Sequence, residues 1–465
     1  MIKRLTRTRA RRATLLGIII VLVLWLGLSS LRDNRPLPRV IDIGVSGGTP
    51  IVIDPSAGEV FLSTSENNSA RLAIVDAATG ALQRLVPLQG PPLAIAPGDR
   101  GRRIFLAYPS RLDVLDEHVV RHTTRLPGNM QHIAALRLAG PDAYVLDAGA
   151  TTCGVTVCTT QDSAVHVLDI STLNHTRSIT LHGQGWDVID TDEHLQRLAV
   201  GRLTVTGGGI VDVIDMQTGR TVRSFATRFP PADLLLDRAS GHLFIETSSR
   251  AGGSIETVDA RTGRLLRSVP LLDTPRGVAV DRRTGRLFIL EDGPVRHVRA
   301  VTRGIGGAPS TYTDVYLPAG RGTLITFAAD TGAPVRSIHV GVEPDALTVS
   351  ERWGRVLVAN RGGGHPSISV ISARDGQSLG TLALPSAPMS MNVEDQSGHV
   401  FVVAEMTTGQ AVGAQPDGAM SIVAALRSLL IRLGLASASL PSHYPPGSST
   451  LSTLDIARLA TMFQP

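Results

Sequence analysis

The chain has 465 residues, 43% of them hydrophobic and 18% charged, with 47 glycines and 28 prolines. This composition is globular, excludes bulk disorder and calls for many tight turns. The net charge of +5 does not point to nucleic acid. Lys3, Arg4, Arg7, Arg9, Arg11 and Arg12 all precede the first apolar run and outnumber the surplus, and no basic run interleaved with aromatics follows.

The first predicted element is N-terminal. A basic segment, 1–12, precedes an apolar segment, 13–31, with no charge between Leu15 and Leu28. The basic flank is expected to stay in the cytoplasm, which places everything after Ser30 outside it. The apolar run lies near the lower limit for a spanning helix and at the upper limit for a signal-peptide core, so a retained anchor and a cleaved signal both stand. The expected location is the cytoplasmic membrane, single-pass with the folded part periplasmic or extracellular, or secretion if the signal is cleaved. Residues 32–37 read as a linker and 38–465 as the folded region.

From there the chain repeats itself. One phrase is an apolar alternating run ending in Asp, a short turn ending in Gly, then a second run: AIVDAATGALQRLVPL at Asp76–Gly80, DVIDMQTGRTVRSF at Asp215–Gly219, ETVDARTGRLLRSV at Asp259–Gly263. Fainter copies centre on Asp116, Asp169, Ala328, Ser372 and Asp455, giving steps of 40, 53, 46, 44, 69, 44 and 83 residues. A second phrase alternates with the first and has its own turn, as at Asp54–Gly58, Asp237–Gly241, Asp281–Gly285, Gly354 and Gly398.

Period-two alternation marks strands. Asp opens each turn because its carboxylate bonds backbone amides two residues on, and Gly closes it because it accepts positive φ. Each pair of phrases is therefore two hairpins, a four-stranded antiparallel unit, and the base period of about 44 suits propeller blades. The predicted fold is an all-β propeller of seven or eight four-stranded blades, the count favouring eight, after one N-terminal transmembrane helix. PRVIDIGVSGG at the start reads as the last strand of a blade, and STLDIARLATMF at the end as a third strand. Pairing them would close the ring.

The VDxxTG hairpins at Asp76, Asp215 and Asp259, with Leu357-Val358-Ala359-Asn360 ending a second strand, resemble the YVTN-repeat family of bacterial extracytoplasmic proteins. The resemblance covers roughly 38–465 and implies the propeller fold and an extracytoplasmic setting. It names no chemistry, because propellers host many activities.

Three insertions, at 148–163, 292–322 and 406–448, follow second strands and are expected to share one face of the disc, where a protein, peptide or cell-envelope ligand would bind. The first holds Cys153 and Cys158, read as a disulfide closing a small loop. The third holds an apolar helix over 420–435, expected to lie on the membrane, to dock a partner or to pack on the propeller face. Glu66, Asp147, Glu246, Glu291, Asp292, Asn360 and Glu405 all end second strands. A ring drawn from Glu66, Asp147, Glu246, Glu291, Asn360 and Glu405 could hold a hard cation such as calcium, as in propeller lactonases. The same residues also fit solvated strand ends. No other cofactor signature is present, so a binding or scaffolding module is the first expectation and a metal-dependent, lactonase-like hydrolase the alternative.

Overall fold

The computed structural model describes residues 39–42, 51–66, 69–98, 103–109, 111–116, 119–125, 133–153, 158–183, 185–204, 206–249, 252–302, 311–362, 365–384, 386–405 and 449–455. Of the two compact units, Met1–Arg39 and Val40–Pro465, these belong to the second apart from Arg39. The anchor, the linker and the helix within 420–435 lie outside the described residues. Among those described, no helix is long and apolar enough to cross a membrane.

Eight four-stranded antiparallel sheets form the blades. Blades 1 to 7 occupy 52–87, 94–125, 133–180, 186–227, 231–271, 275–342 and 344–383 in turn. The eighth joins Ala387–Glu394, His399–Glu405 and Ser449–Asp455 to Arg39–Asp42 from the other end of the chain. The edge that Ser449–Asp455 would otherwise expose is thereby paired. The first strand of each blade touches the first strand of the next, and Ala387–Glu394 touches Val52–Asp54, so the inner strands form a closed ring.

The residues expected to end the third strands all do so. Asp76, Asp116, Asp169, Asp215, Asp259, Ala328, Ser372 and Asp455 lie opposite Glu59, Arg103, Asp142, Arg197, His242, Arg286, Arg355 and His399. The turns that follow have the expected chemistry. Asp76, Asp215 and Asp259 accept the amides of Thr79, Thr218 and Thr262 at 2.7, 2.9 and 2.7 Å. Gly80, Gly219 and Gly263 close them at φ of 64°, 68° and 67°.

The strands are not all half-buried, as alternation suggested. Second and third strands are buried on both faces, as in Arg286–Glu291 and Gly252–Asp259, whereas fourth strands such as Leu265–Leu271 are largely exposed. Blades pack face to face around the ring, so a middle strand has a neighbouring blade on each side. The core is accordingly divided into eight clusters, one at each blade interface. Phe288 and Leu290 of blade 6 pack on Val356, Val358 and Ile371 of blade 7. Val60 and Leu62 of blade 1 pack on Phe401 and Val403 of blade 8, closing the core as well as the backbone. Each such side chain, fully buried, contributes roughly 1.5–3 kcal/mol.

Antiparallel order puts both kinds of Asp–Gly turn on one face of the disc. Connections between second and third strands, and the crossovers between blades, share the other. On that second face two hairpins project: Ala150–Cys153 with Cys158–Gln161 from blade 3, and Val295–Thr302 with Thr311–Pro318 from blade 6. In the first, Cys153 stands directly opposite Cys158. Cross-strand Cα atoms lie about 4.5–5.5 Å apart, within disulfide range.

Candidate functional site

Strand register decides which of the sequence-predicted residues share a position. Five blades begin with a bulged pair: Ile133–Asp147, Trp186–Arg202, Pro231–Thr247, Pro275–Glu291 and Pro344–Asn360. The corresponding pair in blade 8 is Pro388–Ala404. Asp147, Glu291 and Asn360 are thus equivalent. Glu246 falls one residue earlier and, by the two-residue period, faces the other side of its blade. Glu405 falls one residue later, opposite Ala387, and Glu66 ends its strand opposite Ser69. The Glu66 and Glu405 side chains lie outside the described residues.

The three equivalent side chains are engaged locally. Asn360 Oδ1 accepts the Gly341 amide at 2.9 Å, and its Nδ2 donates to Ser367 and Ser369. Glu291 Oε1 accepts the amides of Leu272 at 2.9 Å and Asp273 at 3.5 Å, and burial raises its pKa. Asp147 Oδ1 accepts the Gly149 amide at 3.1 Å, while Oδ2 is buried without a partner. Gly341 lies in the last strand of blade 6 and Leu272 on the crossover that leaves blade 5, so Asn360 and Glu291 fasten one blade to the next. Among the described residues, no three His, Cys, Asp or Glu side chains are grouped to hold a metal ion.

Glu246 behaves differently. It is 2% exposed, directly opposite Asp233, and its Oε2 has no partner. Burial first, then the Asp233 charge, pushes its pKa up to about 8. On the neighbouring inner strand, burial raises Asp190 to about 6, although its Oδ2 accepts the Leu236 amide at 2.7 Å.

The described residues also line a half-open cavity of about 440 Å³ on the insertion-bearing face, between blades 6 and 7. Arg276 and Asp345 come from the starts of the two inner strands. Asp292 and Arg361 follow Glu291 and Asn360 at the ends of the two second strands, and Glu343 comes from the crossover between the blades. Within each blade the inner-strand residue pairs with the second-strand residue. Arg276 donates to Asp292 Oδ2 through Nε at 2.7 Å, with Nη2 at 2.6 Å, and Arg361 Nη1 lies 3.4 Å from Asp345 Oδ2. The signs are exchanged between the blades. The hydrogen bond to Asp292 raises the Arg276 pKa, and Asp345 and Glu343 add to its field.

Glycine closes the neck of the blade 6 hairpin that borders the cavity. A Cβ on Gly293 would lie 2.6 Å from two carbonyl oxygens, and one on Gly322 would lie 2.4 Å from Pro344. Sequence reasoning had singled out Asp292 alone among these residues. The others carry no motif, but superposing the repeats would have shown paired charges at equivalent positions.

The fold and this rim define a β-propeller, and comparison with solved structures agrees. The chain is similar to the computationally designed Ika8 protein, with a TM-score of 0.56 and 16% identity over 79% of this chain and 95% of that one. It is also similar to Sqt1 of Saccharomyces cerevisiae, with a TM-score of 0.54 and 10% identity over 78% and 94%. A third likeness is to the dihydro-heme d1 dehydrogenase NirN, with a TM-score of 0.53 and 12% identity over 73% and 66%. At such identities the likeness is one of fold. No family model and no curated protein matches the chain.

Proposed function

We propose that the chain is a YVTN-type β-propeller held outside the cytoplasm by its N-terminal segment, and that it is a binding or scaffolding module. Its partner is a protein, peptide or cell-envelope ligand that docks on the face carrying the insertions. One observation carries this reading: the cavity of about 440 Å³ opens on that face and is lined by charged side chains at the ends of inner and second strands. Rigid strands position those groups while the loops around them are free to vary, as binding sites on scaffolds require. The engagement of Glu291 and Asn360 by backbone amides supports this reading over a lactonase-like hydrolase, which would need those oxygens for its cation.

The test is site-specific photo-crosslinking of the full-length protein in its own membrane. A crosslinker at Val295, beside the cavity, should capture envelope components, and one at Arg220, on the face of the short turns, should not. Capture from Arg220 alone, or from neither site, would overturn the reading.

A further inference from the structure

The chain enters its last blade in a fixed direction. Arg39–Asp42 is the outer strand of blade 8, beside Ser449–Asp455. Ser449 lies opposite Glu405 and Asp455 opposite His399, so Ser449–Asp455 runs from the insertion-bearing face to the face of the short turns. In the antiparallel blade Arg39–Asp42 runs back the other way, toward Val52, which begins blade 1 on the insertion-bearing face. The residues before Arg39 therefore join the propeller from the turn side.

Their reach is short. From Leu31, where the apolar segment ends, to Arg39 the chain spans at most about 25–30 Å fully extended. The strand His399–Glu405 alone rises about 24 Å from one face to the other. To lay the insertion-bearing face on a bilayer, the link would have to double back over that height. It would also have to clear the hairpin of Val295–Thr302 and Thr311–Pro318, whose strands are each about 27 Å long. No length is left for that, and the turns of blade 8 need no such detour.

The turns there suit a headgroup layer. Gln396 of blade 8 and Arg352 and Arg374 of blade 7 are exposed. The half-buried Trp353 leans over the blade 8 turn, where a Cβ on Gly398 would lie 2.8 Å from its Nε1. Trp and Arg are side chains that settle at the membrane–water interface. Carboxylates outnumber arginines in the described turns of blades 7, 8 and 1, so the link, and not net charge, sets the contact.

We propose that the turn face, at blade 8 and the adjoining turns of blades 7 and 1, rests against the phospholipid headgroups of the membrane that holds the N-terminal segment, and that the insertion-bearing face with its cavity points away from that membrane. The proposal rests on the reading that this segment is a membrane anchor. Blade 4, with Arg220, lies across the ring from the link and stands clear of the lipid. The cavity is turned toward water-borne partners and away from lipid ones.

Energy transfer from a single dye to headgroup-labelled lipid tests this with full-length protein in phosphatidylcholine liposomes. The dye is carried on an unnatural amino acid at Gln396, Arg220 or Val295 in turn, in proteins whose melting temperature matches that of the unsubstituted chain. Transfer should be strongest from Gln396 and lower from both Arg220 and Val295. Inserting about twenty Gly and Ser residues after Leu37 should abolish the difference. Where the Gln396 turn does not tolerate the dye, Arg374 of blade 7 takes its place. Transfer from Val295 or Arg220 that equals or exceeds that from Gln396, or a difference that survives the longer link, overturns the proposal. Protein that does not float with the liposomes would sink the anchor and the proposal together, whereas flotation with Val295 nearest the lipid would sink the orientation alone.

Discussion

Asn360 Oδ1 accepts the backbone amide of Gly341 at 2.9 Å, across the junction of two blades. Glu291 makes the same bond to Leu272 one blade earlier, again over 19 residues. A Cβ on Gly341 would fall 2.4 Å from Asn360 Cγ, so the close approach is part of the fastening. Asn360→Ala leaves the Gly341 amide and the groups around Ser367 without a partner, and should destabilise the protein by about 2–3 kcal/mol. Gly341→Ala should destabilise it through the clash. The double variant should lose less than the sum of the two, because the Asn360 Cγ and Oδ1 contacts at 2.4 and 2.7 Å disappear, although the Cβ contact at 2.6 Å remains. Denaturant titrations of the four proteins check this, and strict additivity would contradict the contact.

Glu246 gives a pH dependence of defined sign. Below its ordinary value of 4.5, folded and unfolded chains both carry the proton. Between there and about 8 the unfolded chain gives up a proton that the folded one keeps, so this group lowers stability as pH rises through that window. Glu246→Gln should therefore stabilise the protein by about 1–3 kcal/mol at pH 8 and hardly at all at pH 4. Melting temperatures measured across the window should diverge with rising pH. Parallel curves would refute the assignment.

The carboxylates of the short turns act in the opposite sense. Asp259 and Asp215 are held below their ordinary 3.8 chiefly by the Thr262 and Thr218 amides, and Asp76 first by the Thr79 hydroxyl and then by its amide. Their contribution is complete above 3.8 and is lost as pH falls through the lowered values. Asp259→Ala should cost about 0.5–1.5 kcal/mol at neutral pH and less in acid, read from acid unfolding of the two proteins.

Two glycines of like φ separate strain from crowding. At Gly58, φ is 66° and a Cβ would meet nothing within 4 Å; at Gly263, φ is 67° and a Cβ would lie 2.5 Å from that of Arg223. Gly58→Ala should cost about 1 kcal/mol, the conformational part alone. Gly263→Ala should cost about 1–3 kcal/mol more, since overpacking is added. Equal losses would mean that Arg223 moves aside freely.

Ring closure can be tested at the N-terminal strand. Removing residues 1–42 takes away Arg39–Asp42 and leaves Ser449–Asp455 as an open edge, whereas removing 1–38 spares the pair. The longer deletion should be less stable by about 2–4 kcal/mol, about one per lost backbone hydrogen bond, and should aggregate more readily. Thermal melting and light scattering distinguish the two, and indistinguishable behaviour would count against closure.

The repeat, the turn chemistry and the strand that joins the two ends were all written locally. An aspartate three residues before a threonine amide, or a glycine at positive φ, acts on its own hairpin, and periodicity then counts the blades. Even where the aspartate is replaced, at Ala328 and Ser372, the turn glycines Gly332 and Gly376 and the flanking apolar runs placed the strand end. The candidate site was less legible. Seven strand-end residues looked alike in the sequence, but register places Glu246 one residue before Thr247, the partner of Pro231, and so on the other face of its blade from Glu291, the partner of Pro275. The cavity joins Arg276 and Asp292 to Glu343, Asp345 and Arg361 only because two blades lie side by side. Charge placed across a blade interface depends on how neighbouring sheets dock, and no local pattern in the chain encodes that. Sequence alone determined what each hairpin is and how many follow one another; tertiary packing decided which side chains meet, because it sets the register at each bulge and brings together groups from separate blades.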